Sequence, residues 1–223
     1  MTLLPTPRLR SQETMMPSAH LQPAIPTRVS DLIGGAPLLE LPVAPGSGRV
    51  LLKLEQFNPT GTAKIRMARQ MVDEAEAQGK LKPGGWIVES TSGNTGLGLA
   101  LIAAERGYRF TAVVDHHASA DKLRGMQAYG AQLVRVGSAE GGLATADRDQ
   151  TAARLAAEHG AYWTQQHNNP GNSNGYQGLA DELRHALGDD LHTLFGAVGT
   201  GGSLCGTARA LRAHLPDLRV VGV

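Results

Sequence analysis

The chain predicts an α/β protein with mainly parallel sheets, and three observations carry that prediction. Short apolar runs of strand length alternate with longer helical patterns through most of the sequence, the arrangement that builds βαβ units with right-handed crossovers. Two of those strands run straight into polar, glycine-bearing turns that open helices, at 86–100 (WIVESTSGNTGLGLA) and at 194–204 (LFGAVGTGGSL). No internal repeat or low-complexity tract interrupts the alternation.

Composition sets the bounds. A chain of 223 residues can bury a sizeable core as one large domain or two small ones. The net charge is +1 with both signs mixed along the chain, so no basic footprint for nucleic acid or a membrane surface stands out. The single cysteine, Cys205, excludes an intramolecular disulfide framework. No apolar run reaches membrane-spanning length, and the first residues lack the continuous apolar core of a signal peptide. A cytoplasmic location without nucleic-acid or membrane partners is therefore expected.

Residues 1–27 carry five prolines and no sustained periodicity, and read as a poorly ordered arm. The compact part begins near residue 30. APGSG at 44–48 makes a turn, and RVLLKL at 49–54 reads as a strand. Asn58, Pro59, Thr60 and Gly61 form a second turn, after which Thr62 is placed to cap a helix over 63–78 with Met67, Met71 and Val72 inward. Gly79 stops that helix. The alternation then gives a strand from residue 87, a helix over 96–106 and a strand over 110–115. Next come a helix over 120–129 capped by Ser119, a strand over 132–136 and a helix over 145–159. A short strand over 162–164, a helix over 174–187, a strand over 193–198, a helix over 204–214 and a strand over 219–223 complete the order. That last strand reaches the end of the sequence with nothing after it to cover the sheet, so either it closes the fold or the chain is a fragment.

The two glycine turns are the candidate binding sites. A turn at the carboxyl end of a strand, feeding a helix N-terminus, offers backbone N–H groups and the positive end of a helix dipole to an anion. Neither turn contains Lys or Arg, so backbone and hydroxyl groups must do the recognition. The 199–203 turn (GTGGS) lacks the lysine of a P-loop and, with Leu204 where the dinucleotide fingerprint needs glycine, suits phosphate without nucleotide. A plain tight βα turn is the alternative for 199–203. Lys64 falls in the first turn of a helix, where the dipole disfavours a cation and lowers the amine pKa, which suits Schiff-base chemistry. Alone, it also reads as a solvated surface lysine. His116 and His117 have no carboxylate or cysteine cluster with metal spacing, so no metal is expected, and Cys205 reads as packing.

Taken in order, 51–66 (LLKLEQFNPTGTAKIR), 87–100 (IVESTSGNTGLGLA) and 199–203 (GTGGS) resemble the cysteine synthase/cystathionine β-synthase family, the fold-type II enzymes dependent on pyridoxal 5′-phosphate. The segments 31–41, 119–133 and 166–172 (QHNNPGN) are similar to further family segments, so the resemblance runs from about residue 30 to the end. It implies two three-layer α/β/α domains of the tryptophan synthase β type. A lead-in segment over 28–48 would pack on the C-terminal domain, an N-terminal domain would span 49–162, and an incomplete C-terminal domain would occupy 163–223.

The resemblance also implies roles. Lys64 would hold the cofactor covalently and act as the catalytic base. Asn94 would bond the ring hydroxyl, and Gly199, Thr200, Gly201, Gly202 and Ser203 would cradle the phosphate. Thr91, Ser92, Gly93, Thr95 and Gln166 would bind the substrate carboxylate. The implied reaction is β-replacement on an O-activated serine through an aminoacrylate, with a small nucleophile adding to the β-carbon, in a homodimer. Departures from the family pattern (Ile65 after the lysine, Gly35 and Ala36 in the lead-in segment, His167 after Gln166) point to a divergent branch making another β-substituted alanine such as 2,3-diaminopropionate. A serine/threonine dehydratase and a non-catalytic remnant are the competing readings.

Overall fold

The computed structural model describes residues 25–137 and 144–223; all but the last three residues of the expected arm lie outside that range. The described chain starts with an antiparallel pair, β1 (Leu38–Leu41) and β2 (Val50–Lys53), in which Leu39 sits opposite Leu52. The sequence anticipated the second strand but not the first. Because they pair with each other, the run at 49–54 joins the lead-in segment and not the main sheet.

After β2 the chain forms α1 (Lys64–Ala77), β3 (Trp86–Ser90), α2 (Asn94–Arg106), β4 (Arg109–Val114), α3 (Ala120–Ala128), β5 (Gln132–Arg135), α4 (Thr145–His159) and β6 (Tyr162–Trp163). The four strands β3–β6 make one parallel sheet in the order β5-β4-β3-β6. Alternation along the strands gives each face a core. Ile87, Phe110, Ala112 and Val114 pack with the buried sides of α1, α2 and α3, while Val88 and Val113 pack with Ala152 of α4. Helices on both faces give the three-layer unit that the alternation predicts.

The remaining elements are α5 (Pro170–Asn174), α6 (Gln177–Leu187), β7 (Thr193–Gly196), α7 (Gly202–Arg212) and β8 (Arg219–Gly222), with β7 and β8 parallel. The single helix expected over 174–187 is two helices. Asn169 caps the first by accepting from Gly171 N–H at 2.9 Å, with Pro170 at its first position. The break falls where Gly175 meets α1: a Cβ there would lie 2.7 Å from Met67 Cα and 2.9 Å from the Arg66 carbonyl oxygen. Tyr176, fully buried, follows at once. A second correction concerns the start of α1. Its N-cap is Ala63, and Thr62 Oγ1 accepts from Lys64 N–H only at 3.4 Å.

An ion cluster ties the lead-in segment to both halves. Arg66, 4% exposed, donates to Glu55 and to Glu182 of α6, and Lys53 pairs with Glu182 at 2.5 Å. Glu182 also accepts from Gly35 N–H at 3.0 Å, and Asn58 Oδ1 from Gly34 N–H at 3.0 Å. Among the described residues no helix is long and apolar enough to cross a membrane.

Candidate active site

Both glycine turns form as helix openings. The N-cap of α2 is Gly93 and that of α7 is Gly201, the latter at φ +80°, a left-handed conformation that glycine adopts freely. Neither N-cap residue supplies a side-chain cap; Gly96 N–H is taken by Thr91 Oγ1 and Gly202 N–H weakly by Thr200 Oγ1, and the other first-turn N–H groups are left for a guest. A Cβ built on Gly93 or Gly199 would meet nothing within 4 Å, which means open space beside each turn. Gly202 is the opposite case: its Cβ would lie 1.9 Å from Asn172 Oδ1. Any side chain there would force Asn172, wedged against the turn, to move.

One chain of hydrogen bonds joins the two turns. Thr95 Oγ1 donates to Gln166 Oε1 at 2.8 Å, and Gln166 Nε2 donates to the Ser90 carbonyl at 3.0 Å. Asn172 Nδ2 donates to the Gln166 carbonyl at 2.7 Å and to Thr200 Oγ1 at 2.9 Å. Thr95, Gln166 and Asn172 are all buried, so these bonds act in a low-dielectric setting where a misplaced partner is costly. The carboxylate-turn and phosphate-turn candidates are thus held at a fixed separation.

Lys64 is the first residue of α1, half-buried, and burial alone lowers its amine pKa. Its helix packs on α2 through Gly98, whose Cβ would lie 3.0 Å from Ala68 Cβ and 3.2 Å from Ile65 Cα. This close approach brings the first turn of α1 alongside the first turns of α2. Asn94, the first residue of α2, has a buried Oδ1 with no hydrogen-bond partner among the described residues. An orphaned amide of this kind beside open space suits a ligand with a hydroxyl group.

Sequence reasoning missed two charged groups at this site. It expected a turn free of cations, but Arg148 of α4 donates from Nη1 to Ser92 Oγ at 2.6 Å and pairs with the fully buried Asp115 at 3.1 Å. Ser92 Oγ also accepts from Asp115 N–H and donates to Asp115 Oδ1, both at 3.3 Å, so its one proton and two lone pairs are all engaged. Arg148 lies 56 residues from Ser92, and no local signal tied the two. The second group is Glu89, 1% exposed on β3, which accepts from Gln166 N–H at 3.3 Å and from Thr164 Oγ1. A carboxylate inside the run W-I-V-E-S was the available signal.

Thr91 Oγ1 accepts from Gly96 N–H at 3.1 Å and more weakly from Gly93 N–H at 3.4 Å, leaving its own proton free. Ser203 lies in the first turn of α7. His167 and Cys205 are exposed. His116 and His117 stack with ring centroids 3.9 Å apart, and among the described residues no three metal-ligating side chains gather.

One α/β frame thus carries two glycine turns that open helices, with a half-buried lysine in the first turn of a helix packed on one of those two. Residues 29–223 match the pyridoxal-phosphate dependent enzymes, and the chain belongs to that family. It is 46% identical to a Sinorhizobium fredii chain provisionally named a cysteine synthase, over 88% of this chain and 60% of that one. It is 39% identical to an N-(2-amino-2-carboxyethyl)-L-glutamate synthase of Ralstonia nicotianae, over 87% and 59%. The crystal structure of an O-ureido-L-serine synthase superposes with a TM-score of 0.83 at 37% identity, over 89% of this chain and 63% of that one. The likeness to cysteine synthases read from the motifs is borne out, as are the α/β class and the pyridoxal-phosphate family. The chain spans about 60% of the length of these relatives.

Proposed function

We propose that this chain carries the substrate- and phosphate-binding half of a pyridoxal-phosphate dependent enzyme that performs β-replacement on an O-activated serine. The observation that supports it most is the buried bond chain Thr95–Gln166–Asn172–Thr200, which fixes two anion turns at one separation. Such a pair suits a cofactor phosphate and a substrate carboxylate held across one reacting centre.

The residues present fit the cofactor. Gly199, Thr200, Gly201, Gly202 and Ser203 would take its phosphate through first-turn N–H groups of α7, and Asn94 its ring hydroxyl. Lys64, with its lowered pKa, would hold it covalently and then move the substrate's α-proton at Nζ. When bound, the cofactor supplies an electron sink for the α-carbon. The substrate carboxylate would rest in the 91–95 turn on the Thr91 hydroxyl and the N–H groups of Ser92, Asn94 and Thr95. The side chains of Ser92, Thr95 and Gln166 would hold that turn in shape. Arg148, paired with Asp115, would help to hold that turn through its bond to Ser92 Oγ.

The relatives' names describe products with one alanyl unit joined at its β-carbon to sulfur, nitrogen or oxygen. This supports a shared serine-derived donor half and a variable nucleophile, so a β-substituted alanine other than cysteine stands beside cysteine as the product. The test is direct. Protein reconstituted with pyridoxal phosphate should be yellow, and borohydride should fix a phosphopyridoxyl group on Lys64, seen by peptide mass. Lys64→Ala should abolish both. A wild-type protein that stays colourless and unlabelled overturns the proposal, and release of a keto acid in place of a β-substituted amino acid would move it to a dehydratase.

A further inference from the structure

Gln166 stands at the junction of the two turns, and three observations show what holds it there. Its predecessor Gln165 has φ +50°, the one non-glycine residue with a left-handed backbone among those described. A side chain in that region costs on the order of 1 kcal/mol, and surrounding bonds must impose it. The Gln165 carbonyl accepts from Asn168 and Asn169 N–H at 2.8 and 2.9 Å on the far side of the bend. On the near side both bonds, from Thr164 Oγ1 and from Gln166 N–H, end on one oxygen of Glu89.

Glu89 has no cation partner among the described residues. The elements around it offer none: Ala112 of β4 lies directly across, the buried face of α2 has no ionisable group, and Tyr162 of β6 is neutral. Of the charged residues of α4, Arg148 is committed to Asp115, and Asp149 adds negative field. Two donors therefore stand in for a counter-ion, and one is the N–H that locates Gln166.

We propose that Glu89 is a positioning residue: its buried carboxylate fixes the Thr164–Gln166 bend, and through Gln166 it sets the join between the carboxylate turn and the phosphate turn. The inference rests on the functional reading above for its purpose, but its mechanics are those of the protein alone. Burial pushes the Glu89 carboxyl up to about 7, with Asp149 adding to the rise and the Thr164 and Gln166 bonds opposing it. The grip on Gln166 is accordingly strongest above neutrality and relaxes as the carboxylate takes a proton.

The experiment follows backbone amide resonances of cofactor-free protein by ¹⁵N NMR from pH 5.5 to 8.5. In the wild type the Gln166 amide should titrate with a midpoint near 7, and the Gly202 amide, which donates to Thr200 Oγ1 at 3.4 Å, should follow with the same midpoint. In Glu89→Gln, which keeps the acceptor but loses the charge, both should be flat. A titration that persists in that variant does not come from Glu89 and overturns the proposal. Thr164→Val leaves the fold with one donor fewer to the carboxylate and should raise the midpoint; an unchanged midpoint also overturns it. These readouts need no cofactor, so they fail or hold separately from the borohydride experiment.

Discussion

Arg148 and Asp115 form an ion pair whose acid is fully buried and whose base reaches the hydroxyl of Ser92. Removing one member leaves the other uncompensated, which in buried pairs costs about 3–5 kcal/mol. Arg148→Ala should therefore destabilise the fold by that order in urea, and the double variant Arg148→Ala, Asp115→Asn should recover a large part of it. A loss of less than about 1 kcal/mol would mean that water, not Arg148, satisfies Asp115. At Gly202 the expectation is steric. A methyl group added at this position would put its carbon 1.9 Å from Asn172 Oδ1, so Asn172 must leave Gln166 or Thr200. In Gly202→Ala, cofactor affinity should fall at least tenfold on titration, with a stability loss of about 1–3 kcal/mol from overpacking. Cofactor affinity unchanged from the wild type would remove Gly202 from the proposed cradle.

At the scale of elements, glycines decide how closely helices approach. Gly98 brings α2 onto the first turn of α1, and Gly175 brings the α5–α6 break onto Met67 of the same helix. Gly175→Ala should cost about 1–3 kcal/mol because the clash is with backbone atoms that have no rotamer to yield. Gly178→Ala is the control, since its Cβ would have 3.8 Å of clearance to the nearest atom, the side-chain end of Arg66. Equal midpoints for the two in thermal unfolding would show that the α5–α6 break does not depend on that contact. The same glycines explain what was legible in the sequence. The βα alternation, both glycine turns and the Ser119 cap were readable because local chemistry sets them. The helix break at 175 and the β1–β2 pairing were not, because each is fixed by a surface far away in sequence. The site divides the same way. Lys64, Asn94, Thr95 and Thr200 stood in contiguous motifs, while Arg148, Asp115 and the tie from Glu89 to Gln166 arise only when α4 and the segment after β6 fold onto β3.

Across the whole molecule, two carboxylates make stability depend on pH in opposite directions. Burial works against ionised Glu182, but the hydrogen bonds from Arg66, Lys53 and Gly35 N–H bring it down to about 2. Its folded pKa lies below the ordinary 4.5, so its contribution is present above 4.5 and is lost as pH falls towards 2. Glu89 is the reverse. With a folded pKa raised to about 7, its contribution is complete below 4.5 and is lost as pH rises through 7, by no more than about 3 kcal/mol. From these two groups alone, unfolding free energy should rise from pH 2 to 4.5 and fall from 4.5 to 7. Denaturant unfolding at half-unit steps checks it. Glu89→Gln should flatten the upper limb and leave the lower one, making the variant more stable than the wild type at pH 8. Glu182→Gln should flatten the lower limb only. If Glu89→Gln were less stable than wild type at pH 8, the ionised carboxylate would be worth more to the fold than its burial costs. The join between the turns would then be a gain in stability. The expected sign instead makes it a site where folding free energy is given up to hold Gln166 in place.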